Sequence, residues 1–121
     1  MKEVWKPIKG YEGLYDISNF GRVKSHYKNK ILKPVVENSG YNQVTLVKDK
    51  RKKKVYIHRL VGKHFIENNC GYREINHIDG NKSNNYVFNL EWCNRSLNMI
   101  HSYQILHNTN KKKYDKIILY G

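Results

Sequence analysis

The stretch "INHIDGNKSNN", residues 75–85, sets a single histidine, His77, between Asn76 and the turn-forming run Asp79-Gly80-Asn81. A tight polar turn requires only the second half of that stretch. An imidazole has an unperturbed pKa of about 6.5, so His77 is a side chain that could take up a proton at neutral pH. Two further polar residues belong to the same neighbourhood. Asn89 opens the next apolar run, "NLEW". Asn98 falls about one turn into the helical pattern that follows, with His101 three residues further on the same face. Two short strands pairing across the loop would bring His77 beside that helix face. On residue types alone two readings stay open: a turn with capping amides, and a site for proton transfer.

The elements that must position these residues follow from glycine, proline and periodicity. Gly10, Gly13 and Gly21 punctuate the start of the chain, and Pro7 blocks an early helix. Leu14 to Ser18 and Arg22 to Ser25 read as a hairpin joined by Asn19-Phe20-Gly21. "KILKPV" predicts a short edge strand that Pro34 limits. "YNQVTLV" alternates polar and apolar residues, with Val44 and Leu46 on one face with Asn42. It pairs with "KKVYIHR" across a basic turn, "KDKRKK". In "HRLVGKHFIENN" the period changes: Leu60, Val61, His64 and Phe65 recur at helical spacing, Gly62 weakens the helix, and Asn68-Asn69 ends it. His64 is expected on or near the core rather than on a metal. "REINHI" and "NLEW" are short strands on either side of the loop, with Leu90 and Trp92 facing a core. Asn94 then caps a helix whose stripe is Met99, Tyr103 and Leu106. The fold class is therefore α+β. A small antiparallel β-sheet module occupies 1–56, a linking helix and a strand–loop–strand–helix unit occupy 57–107, and a basic tail occupies 108–121.

Size and charge narrow the function. A chain of 121 residues suits one domain, and 39% hydrophobic residues with a mean hydropathy of −0.82 give it a modest core. There is no apolar run long enough for a membrane span and no apolar stretch behind the N-terminal "MKEVWKPIKG", so a cytoplasmic protein is expected. Cys70 and Cys93 do not make a disulfide framework, and with no Cys-x-x-Cys pair they read as small core residues. Lys plus Arg number 23 against 10 Asp plus Glu, a formal +13. The excess lies in both halves, which favours a long polyanion such as DNA over a single charged tail. An anionic membrane surface is the second candidate, but it asks for a basic amphipathic helix, and the densest runs, "KDKRKKK" and "NKKKYDK", fall in expected turn and tail. Within the first run Lys52, Lys53 and Lys54 are candidate DNA contacts. So are His58 and Arg59 at the start of the linking helix, where an N-terminus can meet a phosphate, although His58 reads equally well as an internal hydrogen-bonding residue. Trp5, Tyr11 and Tyr15 read as small-sheet core rather than as base-stacking residues.

With these elements placed, "INHIDGNKSNNYVFNLEWCNRSLNMIHSY" resembles the HNH nuclease motif, a ββα-metal fold. "VWKPIKGYEGLYDISNFGRVKS" resembles a modular domain found at the front of phage and intron-encoded HNH homing endonucleases. "VYIHRLVGKHFI" is similar to the segment that joins the two. The resemblance implies that His77 is the general base, that Asn89 ties down the loop and holds the histidine, and that Asn76 and Asn98 bind a divalent metal. His101, three residues beyond Asn98 on the same expected helix face, is a further candidate DNA contact. Magnesium or manganese is the implied cofactor and double-stranded DNA the implied partner of a monomer. The implied reaction is phosphodiester hydrolysis, with nicking of one strand favoured because there is one site per chain. Such hydrolysis needs a base for water and a cation to neutralise charge on the phosphate, but no nucleophilic side chain. A phage-encoded copy would act in the host cytoplasm. Many relatives carry a carboxylate where this chain has Asn76, so the alternative is an HNH-fold protein that binds DNA without cutting it.

Overall fold

The computed structural model describes residues 1–94 of the chain. Three antiparallel sheets and one helix make up the described part, an α+β arrangement. The first sheet has the order β1 (Trp5–Pro7), β2 (Tyr15–Ser18), β3 (Val23–Ser25), β4 (Lys30–Ile31). Ile17 pairs with Val23 and Tyr15 with Ser25, so the alternating residues Tyr15, Ile17 and Val23 all turn inward. Gly21 closes the β2–β3 hairpin with φ +83°, a left-handed conformation that glycine adopts without a Cβ penalty.

The single edge strand expected from "KILKPV" is instead two strands in different sheets. Lys30–Ile31 ends the first sheet, and β5 (Val35–Val36) begins the second, with order β5, β6 (Asn42–Lys48), β7 (Arg51–Tyr56). Pro34 has no N–H for a ladder and separates them. The β6–β7 tip is also tighter than the basic run suggests. Asp49 and Lys50 alone make the turn, at φ +52° and +65°, as a two-residue hairpin with both central residues left-handed requires. Lys52, Lys53 and Lys54 therefore lie in a strand, opposite Val47, Leu46 and Thr45, rather than in a turn.

Helix α1 (Ile57–Phe65) continues directly from β7 and stops three residues before Asn68-Asn69, where Ile66 goes extended. Leu60 and Val61 are buried as the spacing predicts, and Phe65 packs on the core. His64 clips the helix to the first sheet: the Lys9 N–H donates to Nε2 at 3.0 Å, and Nδ1–H donates to the Leu60 carbonyl at 2.7 Å. Gly62 has a packing reason that propensity does not show. A Cβ there would lie 2.4 Å from Ile75 Cδ1 and 3.2 Å from Trp92 Cζ2, so glycine lets the third sheet approach the helix. That sheet is the hairpin β8 (Glu74–His77) and β9 (Leu90–Cys93). One continuous core joins Ile8, Ile17, Leu46, Ile57, Val61 and Leu90, and so runs through all three sheets and the helix.

Two small expectations fail. Cys93 is buried, but Cys70 is exposed in the loop after the helix. Tyr15 is core and Tyr11 packs on it, whereas Trp5 lies outside the core beneath Arg22 and Lys24, 5.6 and 5.7 Å from its ring. Among the described residues no helix is long and apolar enough to cross a membrane.

Candidate active site

The β8–β9 register sets Ile75 against Trp92, Asn76 against Glu91 and His77 against Leu90. Ile75 and Trp92 approach Gly62 of the helix, which fixes the hairpin on the core. The loop between the strands is tied by its own amides. Asn89 Oδ1 accepts from the Asp79 N–H at 3.0 Å, and its Nδ2 donates to Asp79 Oδ1 at 2.9 Å and to the Asn84 carbonyl at 2.8 Å. Asp79 caps the turn by accepting from the Asn81 N–H at 2.8 Å and from the Asn84 amide at 2.9 Å. Burial opposes the charge on Asp79, yet the hydrogen bonds from Asn84, the Asn81 N–H and Asn89 outweigh it and hold the carboxyl below its ordinary value.

His77 ends β8 and is buried, only 5% exposed. Its Nε2 lies 2.8 Å from Asn85 Oδ1. An amide oxygen only accepts, so Nε2 carries the proton and Nδ1 holds the lone pair. Behind it stands His58, its ring centroid 5.1 Å from that of His77, with Tyr41 stacked on His58 at 4.9 Å and 5.9 Å from His77. Lys82 lies over Tyr41, its ammonium 4.7 Å from the ring. Burial pushes His58 down to about 3, helped by the fields of His77 and Arg59. Burial also lowers His77, against the opposing pull of the Asn85 bond and of Asp79. Both rings are neutral at pH 7, the state a general base needs before it takes a proton.

Asn76 is buried and donates through Nδ2 to Glu91 Oε1 at 3.1 Å. With its N–H engaged there, the hard carbonyl oxygen is the part of Asn76 that can meet a cation. Sequence reasoning finds no carboxylate at this position; Glu91 supplies one from the facing strand, through a register that spacing alone does not reveal. Asn98 and His101 lie outside the described residues.

The candidate DNA contacts divide. His58 is corrected: it is enclosed between Tyr41 and His77 and uncharged, so it is packing behind the histidine rather than a surface contact. Arg59 is half-buried, donates to the Arg73 carbonyl at 2.8 Å, and lies 5.8 Å from the Trp92 ring. Lys52, Lys53 and Lys54 are all exposed. Lys52 and Lys54 line a groove of about 830 Å³ between the first two sheets, together with Tyr27, Lys28, Lys50 and Asp49. Four lysines against one acid make its wall strongly positive.

The described residues thus join a sheet-borne basic wall to a strand–loop–strand unit with a histidine at the strand end. Residues 3–47 match the NUMOD4 motif. The chain is 44% identical over 98 residues to the DNA endonuclease I-HmuI of Bacillus phage SP01, covering 78% of this chain and 55% of the relative. It is 47% identical over 87 residues to the HNH endonuclease L245 of Acanthamoeba polyphaga mimivirus, covering 72% and 26%. A solved structure of DNA binding and cleavage by the HNH homing endonuclease I-HmuI superposes with a TM-score of 0.76 at 39% identity, over 93% of this chain and 66% of that one. Over most of its length the chain is thus similar to HNH homing endonucleases, and it spans about half the length of I-HmuI.

Proposed function

We propose that this chain hydrolyses phosphodiester bonds of double-stranded DNA with magnesium or manganese, nicking one strand at a selected site as a monomer. The observation that carries the proposal is the fixed, neutral His77, whose Nε2 is bound and whose Nδ1 lone pair remains for a proton. In this reading His77 Nδ1 takes a proton from the attacking water. Asn89 holds the loop ends so that the ring does not swing. Asn76 and Asn98 would hold the cation, which when bound neutralises charge on the phosphate. Asn76 fits that task because its N–H is already spent on Glu91 and its carbonyl is a hard oxygen. Lys28, Lys50, Lys52 and Lys54 would follow the phosphate backbone along the groove, with Lys53, Arg59 and His101 as further contacts.

The test is conversion of supercoiled plasmid to open circles, with and without magnesium or manganese, for the natural chain and for His77→Ala. Removal of a general base should slow nicking by about a hundredfold or more while fold and DNA binding persist. Nicking by His77→Ala at the natural rate would overturn the base assignment. DNA binding with no metal-dependent nicking by the natural chain would favour the non-cutting alternative.

A further inference from the structure

We infer that Asn85 positions His77, and that the Asn19-Phe20-Gly21 turn of the first sheet holds Asn85 in place, so that the N-terminal module is a structural part of the nuclease site. The inference rests on His77 acting as the base.

Asn85 is only 5% exposed, and its carbonyl oxygen faces His77 Nε2 at 2.8 Å. That single acceptor selects the tautomer that leaves Nδ1 basic. The loop carrying Asn85 is pressed against the β2–β3 turn, residue by residue and in reverse order. A Cβ on Gly21 would stand 2.8 Å from both Asn85 Cβ and the Asn85 carbonyl oxygen, so the two backbones touch there. The Phe20 ring lies 5.3 Å from that of Tyr86. The Asn19 carbonyl accepts from the Val87 N–H at 2.9 Å. The turn is itself stiff: the Ser18 hydroxyl is fully buried and accepts from the Phe20 and Arg22 N–H groups at 3.2 and 3.1 Å, and Asn19 Oδ1 accepts from the Val4 N–H at 2.7 Å. A stiff turn against the backbone of Asn85 transmits any displacement of the module to the amide on His77.

The test uses the natural chain, His77→Ala and three further variants. Asn85→Leu keeps the branching at Cγ and removes the acceptor. Gly21→Ala drives a methyl group into Asn85 from 64 residues away in sequence. Asn85→Asp keeps a carboxyl oxygen as acceptor. Three quantities are measured: single-turnover nicking at saturating DNA, DNA affinity, and the His77 tautomer from imidazole ¹⁵N shifts at mildly alkaline pH. Asn85→Leu and Gly21→Ala should slow nicking by about tenfold to a hundredfold with affinity unchanged. Their His77 signal should move from a single Nε2–H form toward a mixture, and Asn85→Asp should recover the single form and part of the rate. An unchanged tautomer in Asn85→Leu, or a loss of affinity that accounts for the whole rate change, overturns the inference. If Asn85→Leu fails to fold, Gly21→Ala and Asn85→Asp are read by the same criteria. Normal nicking by His77→Ala sinks the base reading itself, whereas a dead His77→Ala beside a normal Asn85→Leu sinks only the positioning role.

Discussion

Replacing Asn76 by Asp sets two opposing effects against each other, and their sizes can be worked from the β8–β9 register. Asn76 Nδ2 donates to the Glu91 carboxylate at 3.1 Å. A hydrogen bond to a charged acceptor contributes about 1.5–3 kcal/mol. In Asn76→Asp that bond is lost and two carboxylates face each other, a repulsion of about 4 kcal/mol at 4 Å for an effective dielectric constant near 20, which proton uptake by the pair would relieve in part. Without metal the variant should therefore be less stable by about 2–4 kcal/mol, a fall in Tm on the order of 10–20 °C for a domain of this size. With a divalent cation the same two charges become an asset. Magnesium at a hundred times the variant's Kd returns about 2.7 kcal/mol to the variant and, at about ten times a tenfold weaker Kd, about 1.4 kcal/mol to the natural chain, so the gap narrows by about 1.3 kcal/mol. The assay is thermal melting in excess EDTA and across a magnesium series, in parallel with initial nicking rates. The expected outcome is a large deficit in EDTA that magnesium narrows by about 1.3 kcal/mol, with the half-maximal magnesium for nicking lowered by about tenfold, the equivalent of about 1.4 kcal/mol for a charged ligand. A deficit of the same size in EDTA and in saturating magnesium, with the nicking titration unmoved, refutes Asn76 as a ligand.

Three further outcomes are expected. Each phosphate contact contributes about −0.9 to the slope of log affinity against log salt. The double change Lys52→Ala and Lys54→Ala should flatten that slope by nearly 2, whereas Lys53→Ala, outside the groove, should change it less; equal effects from all three would mean that the groove does not follow the backbone. Gly62→Ala gains up to about 1 kcal/mol of helix propensity but presses a methyl group on Ile75 and Trp92, an overpacking cost of about 1–3 kcal/mol. Urea unfolding should show a net loss, and a gain in stability would mean that the hairpin yields freely. His58 is held at about 3, so below about pH 6.5 the unfolded chain takes a proton that the folded ring refuses. Stability should fall on acidification by up to about 1.4 kcal/mol per pH unit from this site, with no effect above that range. The slope of urea midpoint against pH should be shallower in His58→Phe; identical slopes in the two proteins would contradict a buried neutral ring.

The hairpins and the histidine loop were legible because their signals are local. Ile17 and Val23 alternate with polar neighbours across a turn that ends in glycine, and the Asp-Gly step after His77 announces its own turn. The lysine run misled because Asp49 and Lys50 both take left-handed conformations without being glycine, which let the turn close early and drew Lys52 to Lys54 into a strand. Pro34 marked a limit but not a change of sheet. The helix stopped at Phe65 because Ile66 turned toward the core instead of continuing the spiral, a tertiary choice without a local flag. Asn85 and Glu91 escaped for a common reason. Each acquires its place from a partner brought close by strand register or by packing of separate elements, and in a segment with so many asparagines no residue type singled out Asn85.

The two cysteines are of opposite character, and that gives the chain a chemical handle. Cys93 is buried, and its thiol is pushed up to about 12 by burial and by the nearby Glu91 and Glu74, so it holds almost no reactive thiolate at neutral pH. Cys70 is exposed, and the sequence contains no third cysteine. A maleimide dye should therefore attach at one place, on the loop between the helix and the β8–β9 hairpin, without mutagenesis. Fluorescence from that position would report in real time on the DNA binding proposed above, in the unmodified sequence.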